Sequence, residues 1–224
     1  MTADENRPLR AVDETESLFQ DIAYDPLSYE NLGESIARAL EDRPVVPLAD
    51  LPRFDGVGIY ALYYKGDFPA YAPLANANRE QDGSWAIYVG RKDADNARKG
   101  DPDQRTLKEG AKRGLWDRIN KHRQSINLAE NLDINDFSVR FLVVAPVWVS
   151  LAEIISIRDN TPVWNSLLDG FGNHSPGGGR SNMQRPKWDM VHPGRLWAAK
   201  LRENDMSRQQ LEQEVLTFLN QRAR

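Results

Sequence analysis

Apolar residues along this chain fall into two rhythms, one of period near 3.6 and one of alternating or continuous β-branched and aromatic character. Leu32, Ile36, Ala37 and Leu40 recur at helical spacing, which predicts an amphipathic helix over Tyr29 to Leu40, ended by Pro44 and Pro47. Leu115, Ile119 and Ile126 predict a second helix over Leu115 to Leu128. Leu151, Ile154, Ile155 and Ile157 predict a third over Trp148 to Arg158, stopped by Thr161-Pro162. A last helix is expected over Ser207 to Leu219, with Leu211, Val215, Phe218 and Leu219 on one side. Val57 to Tyr64, Trp85 to Gly90 and Asp136 to Pro146 are aromatic and β-branched and read as strands.

The intervening segments lack either rhythm. Lys65 to Gly83 reads as a polar loop with two prolines and two glycines, long for a hairpin connection. Arg91 to Gly114 reads as a long basic loop. Phe171 to Gly194 is rich in glycine, proline and asparagine, with aromatic and basic residues interleaved. The order β, β, α, β, α predicts an α+β fold, a small three-stranded antiparallel sheet flanked by helices. Three regions are expected: an acidic N-terminal arm with a helix (1–55), a core with inserted loops at 65–83 and 91–114 (56–169), and a C-terminal loop and helix (170–224).

Composition narrows the class. The chain has no cysteine, which excludes disulfides and thiolate metal sites. The longest apolar run, Phe141 to Val149, is far short of a membrane span, and Met1 to Arg10 is polar and acidic, unlike a secretory signal. A cytoplasmic protein is the expectation. The net charge of −4 argues against a nucleic-acid partner, but its distribution reverses the argument. Residues 1–55 carry 13 acidic and 5 basic side chains, whereas 91–123 carry 11 basic and 6 acidic, and 170–200 carry 5 basic and 1 acidic. Local charge is what faces a phosphate.

Against that background, short polar motifs stand out. Gly58-Ile59-Tyr60 lies in the first strand and Tyr88-Val89-Gly90 in the second. Arg118 and His122 are four apart, on one face of their helix. Glu153 is the only acidic residue between Trp148 and Ile157, in apolar company that makes its burial costly unless it is paired or holds a metal. A surface pairing with Arg158 is the alternative. Asn165 follows in Pro162-Val163-Trp164-Asn165.

Together, Tyr60, Tyr88, Arg118, His122, Glu153 and Asn165 resemble the ordered motif set of the GIY-YIG nuclease superfamily, over about residues 56–169. The histidine of the Arg-x-x-x-His element, together with the segment Gly170 to Gly177, is similar to a branch of type II restriction endonucleases that includes the SacII isoschizomers, which recognise CCGCGG. The resemblance implies a GIY-YIG fold and hydrolysis of double-stranded DNA with one Mg²⁺, or Mn²⁺ in its place, ligated by Glu153. It implies that Arg118 offsets phosphoryl charge, that Tyr60 or His122 takes the proton of the attacking water, that Tyr88 bonds the phosphate or water, and that Asn165 orients Glu153 or the phosphate. A palindromic site implies a homodimer, with a tetramer as the other option.

Base or phosphate contacts are expected from Arg91, Lys92, Arg98 and Lys99 after the second motif, and from Arg180, Arg185, Lys187 and Arg195 in the glycine-rich segment. Other nuclease chemistries fit poorly. Glu109-Gly-Ala-Lys112 has one residue too many for a PD-(D/E)xK site, and His174 and His192 lie in glycine-rich context without a ββα pattern. Gly177-Gly178-Gly179-Arg180 lacks the Lys-Ser/Thr of a P-loop, so no nucleotide cofactor is expected. The alternatives to a restriction enzyme are a repair or mobile-element nuclease of the same superfamily and a catalytically silent DNA-binding module.

Overall fold

The structure, a computed structural model, describes residues 27–94, 114–175 and 183–222. Helix α1 (Tyr29–Glu41) is capped by Ser28, whose hydroxyl accepts from the Asn31 amide. Four strands follow: β1 (Val46–Pro47), β2 (Gly58–Tyr64), β3 (Ala86–Lys92) and β4 (Phe137–Val143). They form one antiparallel sheet of order β1-β4-β2-β3. The sheet therefore has four strands rather than the expected three. Strand β1 escapes the sequence pattern because it is two residues long and contains Pro47, which a sheet tolerates only at an edge.

The expected loop at 65–83 is largely structured. A 3₁₀ turn at Pro69–Tyr71 leads into α2 (Ala72–Glu80), with proline in its first turn, where no amide hydrogen is needed. Its inward face holds Leu74, Ala75 and Asn78. Asn78 is buried yet fully engaged, donating to the carbonyls of Tyr64 and Trp85 and accepting from the Trp85 amide. A polar residue at a core position is why the helical rhythm is hidden there.

Helices α3 (Gly114–Leu128) and α4 (Pro146–Asn160) agree with the sequence pattern, as does the C-terminal α8 (Arg208–Arg222). Short helices α5 (Val163–Ser166), α6 (Lys187–Val191) and α7 (Leu196–Ala199) lie between. Helix α6 corrects the expectation of a loop throughout 171–194; at five residues it is too short to show a period.

The sheet separates two apolar clusters. On one face Ile59, Ala61, Tyr63, Ala86 and Val89 meet Leu40 of α1 and Val149 and Ala152 of α4. Helices α1 and α4 pack closely at Gly33, where any side chain would collide with Ile155. On the other face Tyr60, Leu62 and Tyr64 meet Leu115, Ile119 and Ile126 of α3, Trp164 of α5, and Leu211, Val215 and Leu219 of α8. Strand β3 is an edge strand among the described residues. No helix among them is long and apolar enough to cross a membrane.

Candidate active site

The site is built around the outer end of β3. Antiparallel register puts Tyr60 opposite Gly90 and Leu62 opposite Tyr88, so the two tyrosines are diagonal neighbours on one face. Their ring centroids are 6.1 Å apart. The glycines of both motifs have a steric reason. At Gly58 an added Cβ would strike the Leu142 carbonyl of β4, and at Gly90 it would stand 2.5 Å from the Tyr60 hydroxyl. Thus Gly90 leaves the space that the Tyr60 ring end fills.

Helix α3 crosses this face and brings His122 to both tyrosines, with centroids 5.7 Å from Tyr60 and 5.1 Å from Tyr88. Arg118, one turn earlier, acts electrostatically on both phenols and on His122. Tyr60 Oη and His122 Nε2 are buried without a hydrogen-bond partner among the described residues. Burial, reinforced by Tyr88, pushes the Tyr60 phenol well above its ordinary range. Burial, then the charges of Arg118, His174 and Arg195, holds His122 well below its ordinary value, so its imidazole is neutral at pH 7.

Glu153 reaches the site from α4, on the far side of β3. Its carboxylate lies 3.0 Å from Arg91 Nη1, and Arg91 also pairs with Asp93. The surface pairing of Glu153 with Arg158 does not form; Arg158 bonds Glu30 and Asp159 instead. Partial burial raises the Glu153 carboxyl, while Arg91 and Arg118 oppose the rise. Glu153 in turn acts on Tyr88. The site thus straddles the edge strand: phenols and imidazole on one side, carboxylate and Arg91 on the other, with Arg118 sensed by both.

Asn165 takes a different position from the one expected. It accepts from the Val89 amide at 2.8 Å and donates to the Val89 carbonyl at 2.8 Å. One bond at each end of the carboxamide is spent on Val89, and among the described residues none joins Asn165 to Glu153; it acts as a stub of a next strand on the edge of β3, beside Tyr88.

The candidate DNA contacts divide. Arg91 and Lys92 end β3 at the site. Arg98, Lys99 and Arg180 lie outside the described residues. Arg185 donates to the carbonyls of Ala198 and Ala199, and Lys187 opens α6, half-buried. Arg195 is corrected: it is buried and bonds Asp189 and the carbonyls of Gly170, Phe171 and Asn173, so its donors are committed inside the protein.

Sequence reasoning missed Phe171, whose ring stacks on His122 at 4.4 Å and 26° and meets Tyr88 edge-on at 5.0 Å. It also missed Gly172, where a side chain would begin 3.0 Å from Arg118 Nη2 and 3.3 Å from the Tyr88 hydroxyl. The only available signal was their place inside the Gly170 to Gly177 segment.

Two tyrosines on adjacent antiparallel strands, an Arg-x-x-x-His helix laid across them and a glutamate on the helix after the last strand together define a GIY-YIG nuclease. The family described as the Eco29kI GIY-YIG domain matches residues 52–219, and the chain belongs to that family of restriction endonucleases. A comparison with curated proteins finds no match.

Proposed function

We propose that this protein is a type II restriction endonuclease that cuts double-stranded DNA at a short GC-rich palindrome, CCGCGG by resemblance to the SacII-isoschizomer branch, with one Mg²⁺ (Mn²⁺ substituting) and as a homodimer. The reading rests on the convergence of Tyr60, Tyr88, His122, Arg118 and Glu153 around the end of β3.

The residues fit a divalent cation. Glu153 is a half-buried carboxylate that already holds a cationic group, the Arg91 guanidinium, at 3.0 Å. Among the described residues no group of three or more His, Cys, Asp or Glu side chains is placed to hold a metal ion. An ion here would have Glu153 as its protein ligand and water for the rest, a shell Mg²⁺ favours. When bound it supplies Lewis-acid stabilisation of the phosphoryl and leaving oxygens.

The chain's own residues supply the rest. Arg118 offers a fork of donors to the phosphate and offsets the charge gained in the transition state. Tyr60 is a poor base by itself, because its burial disfavours the phenolate. His122 is neutral and its Nε2 has no hydrogen-bond partner among the described residues; in the tautomer that leaves Nε2 bare it would accept the proton, directly or through the Tyr60 hydroxyl, as a weaker base than a free imidazole. Tyr88 donates toward the phosphate or the attacking water. Arg91, once released from Glu153, faces the DNA backbone. Two copies related by a two-fold axis would present one such site to each strand.

The test is digestion of a long DNA of known sequence, with Mg²⁺ and with EDTA, followed by sequencing of the ends. A single palindromic cut site that requires Mg²⁺ supports the reading. Intact DNA under Mg²⁺, Mn²⁺ and a range of salt overturns it.

A further inference from the structure

We propose that Arg195 and Asp189 form a buried clasp that holds the Gly170–Asn173 turn against the catalytic face, making Arg195 a positioning residue for DNA cleavage through Phe171 and Gly172. The inference rests on the nuclease reading above. Each link is a specific contact. Arg195 Nε donates to Asp189 Oδ1 at 2.6 Å, and both side chains are 2% exposed. The rest of the fork spans the turn: Nη1 donates to the carbonyls of Phe171 at 3.0 Å and Asn173 at 3.3 Å, and Nη2 to that of Gly170 at 3.0 Å as well as to Asp189 Oδ2. The guanidinium also lies over two indoles, 4.5 Å from the Trp188 ring and 4.8 Å from the Trp197 ring.

A planar fork with five donors suits this task, since one side chain must neutralise a carboxylate and hold three carbonyls of one turn at once. Lysine has the charge but not the span. The turn it holds is the wall of the site. Phe171 covers one face of His122, and Gly172 lies where a side chain would begin 3.0 Å from Arg118 Nη2 and 3.3 Å from the Tyr88 hydroxyl. Lifting the turn would admit water to the imidazole and free Arg118 from its place.

The titratable and charged groups around His122 are Arg118 on its own helix, His174 and Arg195 from the C-terminal segment, and the phenols of Tyr60 and Tyr88 from the strands. Removing the Arg195 charge would itself raise the His122 pKa. Arg195→Lys keeps that charge and tests the geometry alone.

The experiment compares wild type, Arg195→Lys, Asp189→Asn, Phe171→Leu and Arg195→Lys/Phe171→Leu. Cleavage is measured across pH, and the His122 imidazole is titrated by NMR without DNA or metal. Arg195→Lys is expected to lower kcat about 10- to 100-fold with KM little changed, because the wall is misplaced while the binding surface persists. The His122 pKa and the acid limb of the rate profile should both rise toward the ordinary value. Phe171→Leu should reproduce both effects, and the double variant should fall no further than the worse single one. A clasp that served stability alone would cut the folded fraction and leave both pH profiles where they were. Unchanged His122 titration in Arg195→Lys and Asp189→Asn, or fully additive losses, overturns the proposal. If Arg195→Lys does not fold, Asp189→Asn, which unseats the guanidinium from its carboxylate and so loosens its hold on the turn, carries the comparison. If wild type cuts no DNA, the nuclease reading fails, while the NMR titration still decides whether the clasp shields His122.

Discussion

His192 should make this fold acid-sensitive by an amount the structure sets. It is buried among Phe68, Tyr71, Trp164 and Trp188. The Asn131 amide nitrogen donates to the Val191 carbonyl, so Asn131 Oδ1 faces His192 Nδ1 as an acceptor, at 3.0 Å. Nδ1 therefore carries the proton. Nε2 accepts from the Tyr71 hydroxyl at 2.6 Å, and that hydroxyl accepts from Trp164 Nε1 at 2.8 Å. A proton on Nε2 would leave the Tyr71 hydrogen without an acceptor and bury a charge. Burial, then the charges of Arg208 and Arg195, drives the pKa down to about 3. The unfolded chain titrates near pH 6.5, so below that pH it binds a proton the native state refuses, and stability falls with falling pH. The loss from His192 alone is about 2 kcal/mol at pH 5 and approaches about 5 kcal/mol by pH 3. His192→Gln keeps an acceptor for Tyr71 but does not titrate. Urea unfolding at pH 7.5 and pH 5 should show the variant less stable at pH 7.5, with the gap to wild type closing by about 2 kcal/mol at pH 5. His122 and the carboxylates are common to both proteins and cancel in the comparison. A gap that stays constant across that range would refute the argument.

Other outcomes follow from the site's geometry. Tyr60→Phe removes a hydroxyl without a partner, so thermal stability should stay within about 0.5 kcal/mol of wild type or rise slightly, while cleavage is lost and DNA binding in a gel-shift assay persists. Asn165→Ala leaves the Val89 amide and carbonyl unpaired at the sheet edge; unfolding should show a loss of about 1–3 kcal/mol, with slower cleavage from a displaced Tyr88. Gly90→Ala drives a methyl group into the Tyr60 ring end, so it should cost about 1–3 kcal/mol and abolish cleavage, and adding Tyr60→Phe should recover part of the stability but none of the activity.

Much of this site is legible in the sequence because its parts lie on regular elements. The Arg118–His122 spacing is a helical turn whatever surrounds it, and a lone Glu153 among isoleucines calls for a charged partner. The partner itself was not legible. Arg158 is nearer in sequence, but α1 draws it away through Glu30, and β3 register brings Arg91 to the carboxylate instead. Asn165 shows the same limit. Its motif was visible, yet its work at Val89 depends on β3 being the open edge, a property of the assembled sheet. Phe171, Gly172 and Arg195 belong to a segment without period, whose structure comes from one buried guanidinium rather than from local propensity. Helix α2 was hidden by Asn78, a polar residue made acceptable in the core only by three hydrogen bonds to Tyr64 and Trp85.

The most direct test of the central claim is cleavage by Glu153→Gln, an isosteric change that removes the charge of the carboxylate proposed to hold the metal. With Mg²⁺ and a DNA carrying the recognised palindrome, the rate should fall about a thousandfold or more, with DNA binding retained and Mn²⁺ binding to the free protein lost in a calorimetric titration. Cleavage at the wild-type rate, or undiminished Mn²⁺ binding, would contradict the account.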